Sequence, residues 1–260
     1  MRVLVLYLVA LLAVTFCACS DHPGPTVPGT IEEPWTYPDT IFPLSETERV
    51  QRLAVFCQQN PDVCVAMDSF GRLTEVSPCQ VPAGPYAPDS AAAAGVAEHF
   101  LESNRELFNL GSTLPAVVGV RRYADEHWRV HFSLQVVEGS LVYNTSIVVD
   151  VAGAVYHAEG GHFSRVRIPS APNVKVEEAR ALLPPTINYP CWTPIHAGLL
   201  PEAPRVVYPL VFGPHQDPTR LELRTAYRFS YGGGPIHVVE DIFIDVMSGE
   251  QIADLPYVIC

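Results

Sequence analysis

The sequence is poor in basic residues. Its 16 Lys and Arg are outnumbered by 28 Asp and Glu, which gives a formal net charge of −12 at pH 7. Nucleic-acid phosphates and anionic membrane surfaces both attract basic proteins, so this deficit argues against either as a partner. After residue 19 the sequence also lacks an apolar run long enough to span a bilayer.

The motifs of familiar catalytic centres are missing as well. None of the nine His residues is followed by Glu, which excludes the zinc-protease motif H-E-x-x-H. The run Gly232-Gly233-Gly234 lacks the Lys and Ser/Thr of a phosphate-binding loop, and no Ser stands in a G-x-S-x-G context. We therefore predict that the protein is not an enzyme and has neither catalytic residues nor a cofactor.

Two pairs of His residues raise the question of a metal site. His127 and His131 are four positions apart, which places them on one side of a strand, and His157 and His162 are five apart. Neither pair has a Cys or a carboxylate at the spacing of a zinc site. We predict that these are surface and strand-end residues and that no metal is bound.

Residues 1–19 are predicted to be a targeting segment. Arg2 precedes an almost wholly apolar stretch that ends at Phe16. The following Ala18-Cys19 is typical of a bacterial lipobox, in which Cys19 would be lipidated, and an ordinary cleaved signal peptide is the alternative. We expect an exported protein: a cell-envelope lipoprotein that reaches the membrane only through its lipid anchor, or a secreted protein if Cys19 is unmodified.

The next segment, residues 20–45, is rich in Pro and predicts an extended tether. After it, periodicity predicts a short helix over 46–56, a hairpin around Gly71 and a long helix over 91–110. Asp89-Ser90 would begin the long helix and Gly111 would end it. A meander of three strands follows, over 128–136, 141–151 and 154–158, with a turn at Gly139 and one apolar face for the helix to cover.

This part of the chain resembles the fungalysin/thermolysin propeptide (FTP) domain. The resemblance rests on a helix ending in a Leu-Phe-x-Leu signature, followed by residues at the expected places: Gln135, Gly139, Val142, Asp150 and Gly153. Two positions depart from the family pattern. Val137 replaces the usual aromatic residue before the turn Gly, and Leu141 replaces the usual Pro.

The remainder, residues 173–260, resembles a PepSY domain. A short helix over 176–183 begins with Val-Glu-Glu-Ala, and strands are predicted over 205–212, 221–231 and 236–246. The most specific element is the closing turn, which reads D-x-x-[ST]-G-E from Asp245 to Glu250. Together the resemblances imply an α+β fold of two cystatin-like units, 46–172 and 173–260, each a helix packed on an antiparallel sheet.

The order FTP then PepSY is that of thermolysin-type proregions, here without the catalytic domain. The resemblance therefore implies a stand-alone propeptide-type module. Such a module would inhibit a secreted thermolysin-like metalloprotease in trans, or help it to fold, by binding it. The alternative is an envelope-anchored binding protein that reuses the fold and has no protease partner.

Seven cysteines remain to be assigned. Cys17 would leave with the targeting segment and Cys19 would carry lipid, which leaves Cys57, Cys64, Cys79, Cys191 and Cys260. An exported protein makes disulfides plausible. The simplest assignment is a Cys191–Cys260 disulfide in the second unit and one bond among the other three, whose pairing stays open.

Overall fold

The computed structural model describes residues 35–59, 63–78, 87–124, 126–189, 195–214, 217–233 and 236–257. These residues form the helices α1 (Glu46–Gln59), α2 (Ser90–Ser103) and α3 (Val176–Ala181). They also form the strands β1 (Asp39–Ile41), β2 (Val63–Met67), β3 (Leu73–Pro78), β4 (Val117–Ala124), β5 (His127–Phe132), β6 (Val136–Val137), β7 (Ser140–Val142), β8 (Ile147–Val151), β9 (Val155–Gly160), β10 (Thr186–Tyr189), β11 (Ile195–Leu199), β12 (Arg205–Phe212), β13 (Arg220–Gly233), β14 (Ile236–Asp245) and β15 (Gln251–Pro256). The predicted α+β class is confirmed.

Six of the described strands form an antiparallel sheet in the order β2-β3-β9-β8-β5-β4. Strand alternation places Val130, Phe132 and Val149 on its inner face, where each is at most 2% exposed. Helix α2 packs on that face, and its Leu101 is fully buried in the same core. The predicted N-cap is confirmed, since the Asp89 side chain accepts a hydrogen bond from the Ala92 amide at 2.8 Å.

Helix α2 is shorter than the sequence predicts. It ends at Ser103 instead of residue 110, and Asn104 caps it by donating its side-chain amide to the Phe100 carbonyl at 2.8 Å. The following turns bring Phe108 to complete burial and let its carbonyl accept from the His162 amide at 3.0 Å. The turns after Ser103, in place of further helical turns, thus position Phe108 in this core.

The predicted strands 128–136 and 141–151 are each broken in two. At both breaks the chain is held by Thr145, whose hydroxyl accepts from the Gln135 amide at 2.9 Å and donates to the Val142 carbonyl at 2.5 Å. The hairpin β6–β7 is thereby separated from the six-stranded sheet. Its turn has positive φ at Glu138 (47°) and Gly139 (77°), which agrees with the turn predicted at Gly139.

Nine of the described strands form a second sheet around the long strand β13. β13 pairs with β12 and then β11 along one edge, and with β1 and then β14 along the other. β10 follows β11, and β15 follows β14. The hairpin β6–β7 joins this sheet through a parallel pairing of β7 with β12, which departs from the predicted antiparallel arrangement. Helix α3 covers one face, where Ala179 packs with Phe229 and Tyr231.

The end of the predicted tether is built into the fold. The described residues from Thr36 onward belong to one compact unit, and within it Asp39 of β1 lies opposite Leu223 of β13. Ile41 packs on the buried cluster that includes Val207, Leu221 and Leu223. The part of segment 20–45 from Thr36 onward is therefore a structural element of the unit.

Candidate binding surface

The signature residues of the first half hold the backbone in place. The Gln135 side chain bonds both backbone groups of Phe163: its oxygen accepts from the amide and its nitrogen donates to the carbonyl, each at 3.0 Å. Asp150 is 3% exposed and accepts two hydrogen bonds from Arg129 at 2.8 Å. The polar groups of Gln135 and Asp150 are therefore used in hydrogen bonds that hold the fold together.

The closing turn of the second half has the same character. The Asp245 carboxylate is fully buried and accepts from the amides of Met247 at 2.7 Å and Ser248 at 2.9 Å. Gly249 has a φ of 76°, which favours Gly at that place. This geometry explains the D-x-x-[ST]-G-E pattern as an Asx turn that ends β14.

Within the described part of the chain, the His residues of the two pairs do not assemble a metal centre. His157 lies on β9 with its Nδ1 3.3 Å from an Asp150 oxygen. His162 is buried beside the turns after α2, where its amide donates to the Phe108 carbonyl. Over the described ranges, no group of three or more His, Cys, Asp or Glu is placed to hold a metal ion.

The predicted cysteine sites cannot be placed in the fold. Cys19, Cys191 and Cys260 lie outside the described residues, so lipidation of Cys19 and the Cys191–Cys260 disulfide stay predictions. Cys57 on α1 and Cys64 on β2 are both exposed. Cys79 lies outside the described residues as well.

The outer face of the six-stranded sheet is polar. The strand registers place Arg121, Arg129, Asp150 and His157 side by side in a row across β4, β5, β8 and β9. An antiparallel sheet with one face on a helix and one face in water shows this pattern of charged residues. We interpret this face as solvated.

Part of the second face of the nine-stranded sheet is apolar, beside the charged residues Arg220, Glu222, Arg224 and Arg228 of β13. Its buried centre consists of Val206, Ala226 and Phe243, each at most 1% exposed, and no described helix packs there. Tyr143, Tyr208, Ile252 and Leu255 are partly buried and pack on this centre. The strand registers continue the same side of the sheet to Leu141 and then to Val136, and we call these six side chains the open face.

Two tyrosines form the middle of the open face. The Tyr143 and Tyr208 rings lie 5.0 Å and 4.7 Å from the Phe243 ring, centroid to centroid, and 5.8 Å from each other. Both tyrosines are half-buried, while at one end Val136 is 58% and Leu141 38% exposed. Exposed apolar and aromatic side chains gathered on one face are typical of a protein–protein contact surface.

Charged groups flank the aromatic centre. Arg228 donates from one terminal nitrogen to the Tyr143 hydroxyl at 3.2 Å, and its Nε is buried without a hydrogen-bond partner. The nearby Asp241 is 3% exposed and accepts from the Ser230 hydroxyl at 2.5 Å and the Tyr257 hydroxyl at 2.7 Å. Burial and the contact with Asp241 raise the pKa of Tyr257, so the phenol stays protonated and holds the carboxylate.

Sequence reasoning did not find the open face. One signal was present: residues 205–212 read RVVYPLVF, an almost continuous apolar run, which indicates a strand with apolar neighbours on both sides. The other contributors come from β6, from β7 and Tyr143 directly after it, and from β15, and only the strand order brings them together.

Comparisons with known proteins give little further information. No family model and no curated protein matches the sequence. Among solved structures, the chain is similar to the C-terminal domain of YpeB from Bacillus megaterium, with 14% identity and a TM-score of 0.36, over 83% of this chain and 98% of that one. Similarity at this level does not identify a function. No helix among the described residues is long and apolar enough to cross a membrane.

Proposed function

We propose that the protein is a non-catalytic, propeptide-type binding module that inhibits a secreted thermolysin-like metalloprotease in trans or assists its folding. The observation that supports binding is the open face, an apolar and aromatic sheet surface that no helix among the described residues covers. The metalloprotease partner is suggested by the FTP-then-PepSY order of the two sequence resemblances.

Binding alone would account for both effects. A folded surface that is complementary to a protease stabilises the folded protease by mass action, because it binds that state and not the unfolded chain. The same contact blocks the protease cleft when the surface covers it. Neither effect requires a catalytic group in this protein.

The test is a titration of the purified mature protein against secreted thermolysin-type proteases of the same organism. Protease activity should fall as the protein is added, or the yield of refolded protease should rise. The protein alone should hydrolyse no peptide, with or without zinc. Zinc-dependent hydrolysis by the protein alone would contradict the proposal.

A pair of matched variants assigns the effect to the open face. Val136→Asp introduces a charge on the open face, whereas Val211→Asp introduces one on the other side of β12 at a similarly exposed valine (58% and 51%). The first should weaken inhibition at least tenfold and the second should leave it unchanged. If no candidate protease changes in activity or refolding, the envelope-anchored binding protein becomes the better hypothesis.

A further inference from the structure

Three arginines on β13 of the nine-stranded sheet, Arg220, Arg224 and Arg228, differ in whether a carboxylate pairs with them. Arg220 and Arg224 both bond the buried Glu222 carboxylate, with their Nε atoms 2.8 Å from its oxygens. Arg228 lies on the same face of β13 and is half-buried, yet its side chain forms one hydrogen bond, to the neutral Tyr143 hydroxyl. Among these three arginines, Arg228 alone has no carboxylate partner.

The nearest carboxylate does not fill that role. Asp241 lies opposite Ser230 in the β13–β14 pair, whereas Arg228 lies opposite Phe243. The Asp241 oxygens accept from the Ser230 and Tyr257 hydroxyls, and Asp241 forms no ion pair with Arg228 within 4.0 Å. The Arg228 Nε is buried without a partner. A half-buried guanidinium in this state gains more from an added anion than an exposed arginine does, because water screens it less.

The position of Arg228 defines what would satisfy it. Its terminal nitrogen lies against Tyr143, in the centre of the open face, so an apolar group that rests on this face and carries an anion would bring that anion to Arg228. Building on the proposed function, we propose that the open face binds an apolar segment of its protein partner that carries one carboxylate, and that Arg228 pairs with this carboxylate. The tyrosine rings would pack on the apolar part, and Arg228 would fix its orientation.

Two fluorescent probes test this chemistry without knowledge of the partner. Anilinonaphthalene sulfonate combines an aromatic body with one anionic group, and N-phenylnaphthylamine has a similar aromatic body without charge. The native protein should bind one anionic probe per chain and prefer it over the neutral probe at least tenfold at low salt. Competition by a short blocked peptide of apolar residues with a single Glu should displace the anionic probe, and the matching Gln peptide should not.

Four variants identify the residues responsible. Arg228→Gln should abolish the preference for the anionic probe and leave neutral-probe affinity unchanged, and Arg228→Lys should retain most of the preference. Leu141→Ser should weaken both probes. Arg121→Gln removes an exposed arginine on the other sheet and should change nothing. Unchanged circular dichroism and melting temperature are required of each variant, because partly unfolded chains also bind the anionic probe.

The outcomes separate this inference from the proposed function. Equal affinity of the native protein for the two probes, or an unchanged preference in Arg228→Gln, would overturn the inference. Inhibition of a metalloprotease that survives Arg228→Gln would overturn it too, while leaving the proposed function intact. If the probes bind as predicted but no protease is affected, the result supports an apolar ligand with one carboxylate on the open face. It then contradicts only the proposal that a metalloprotease is the partner.

Discussion

His162 lies in the fold as a buried ring without a hydrogen-bond partner. It is 8% exposed, and its Nε2 is among the buried polar atoms that no described group contacts. Burial lowers the pKa of His162 to about 4, because the charged imidazolium loses its hydration. The folded protein therefore binds a proton at this ring less readily than the unfolded chain does.

The sign of the resulting pH dependence follows from this difference. In the unfolded chain His162 titrates near the ordinary value of about 6.5. Stability from the neutral ring is complete above that pH and is lost as the pH falls towards 4. The free energy of unfolding should decrease by up to about 3 kcal/mol across this window.

Urea unfolding at several pH values measures the effect. His162→Leu cannot take up a proton at this position, so its unfolding should bind about one proton fewer than that of the native protein. The free energy of unfolding of this variant should therefore depend less on pH between 6.5 and 4. His99→Gln changes an exposed residue of α2 and should keep the native profile. A native-like slope in His162→Leu would show that other groups produce the acid sensitivity.

At the scale of elements, the close approach of β9 to the chain before β8 depends on one glycine. Gly160 has a φ of 91°, and a Cβ added there would lie 1.9 Å from the Ser146 carbonyl oxygen. Backbone atoms cannot move aside as a flexible side chain can. Residues 160–163 are also the segment clamped by Gln135 and Phe108, so a shift here would disturb both contacts.

Two Gly→Ala substitutions should consequently have opposite effects. Gly160→Ala should destabilise the protein by about 2 to 4 kcal/mol, through the clash and the positive φ. Gly95→Ala lies in α2, where a Cβ meets nothing within 4 Å, and should stabilise by about 0.5 to 1 kcal/mol. Thermal unfolding of both variants is the measurement, and a neutral Gly160→Ala would mean that the segment can relax.

Elements with local signals could be predicted from the sequence. The strand β12 has the predicted bounds, the hairpin β2–β3 turns at Gly71 with a φ of 80°, and α1 starts at Glu46. Ser45 caps α1, with its hydroxyl accepting from the Glu48 amide at 3.3 Å. In each case the residues that determine the element lie within a few positions of it.

The elements that were missed depend on distant residues. The sequence predicts one strand over 141–151, but Asn144 takes a φ of 57° and the chain changes direction there. Val142 is then buried and Leu141 exposed, because β7 pairs with β12 more than 60 residues further on. The periodicity of a strand indicates which of its faces is exposed to solvent. It does not show that the strand pairs with another strand far away in the sequence.

At the scale of the whole molecule, the N-terminal segment connects regions that are far apart in sequence. The Tyr37 hydroxyl donates to Asp245 at 2.8 Å and accepts from the Thr225 amide at 3.0 Å. Asp39 accepts from the backbone and side chain of Arg167, both at 2.8 Å. On this edge of β13, β1 pairs with residues up to Leu223 and β14 pairs with residues from Ala226 onward, so Thr225 has no strand partner there. The Tyr37 hydroxyl accepts the hydrogen bond of the Thr225 amide instead.

Removing this hydroxyl should weaken the whole compact unit. Tyr37→Phe leaves the Thr225 amide without its acceptor and removes one donor from the fully buried Asp245 carboxylate, which should cost about 1 to 3 kcal/mol. In urea unfolding the midpoint should fall while the slope m stays constant, because the same surface is exposed on unfolding. Tyr123→Phe, at a 52% exposed tyrosine of β4, serves as the control and should unfold like the native protein. If Tyr37→Phe also left the midpoint unchanged, the segment would be an attached tether after all, and its contacts would not contribute to the stability of the fold.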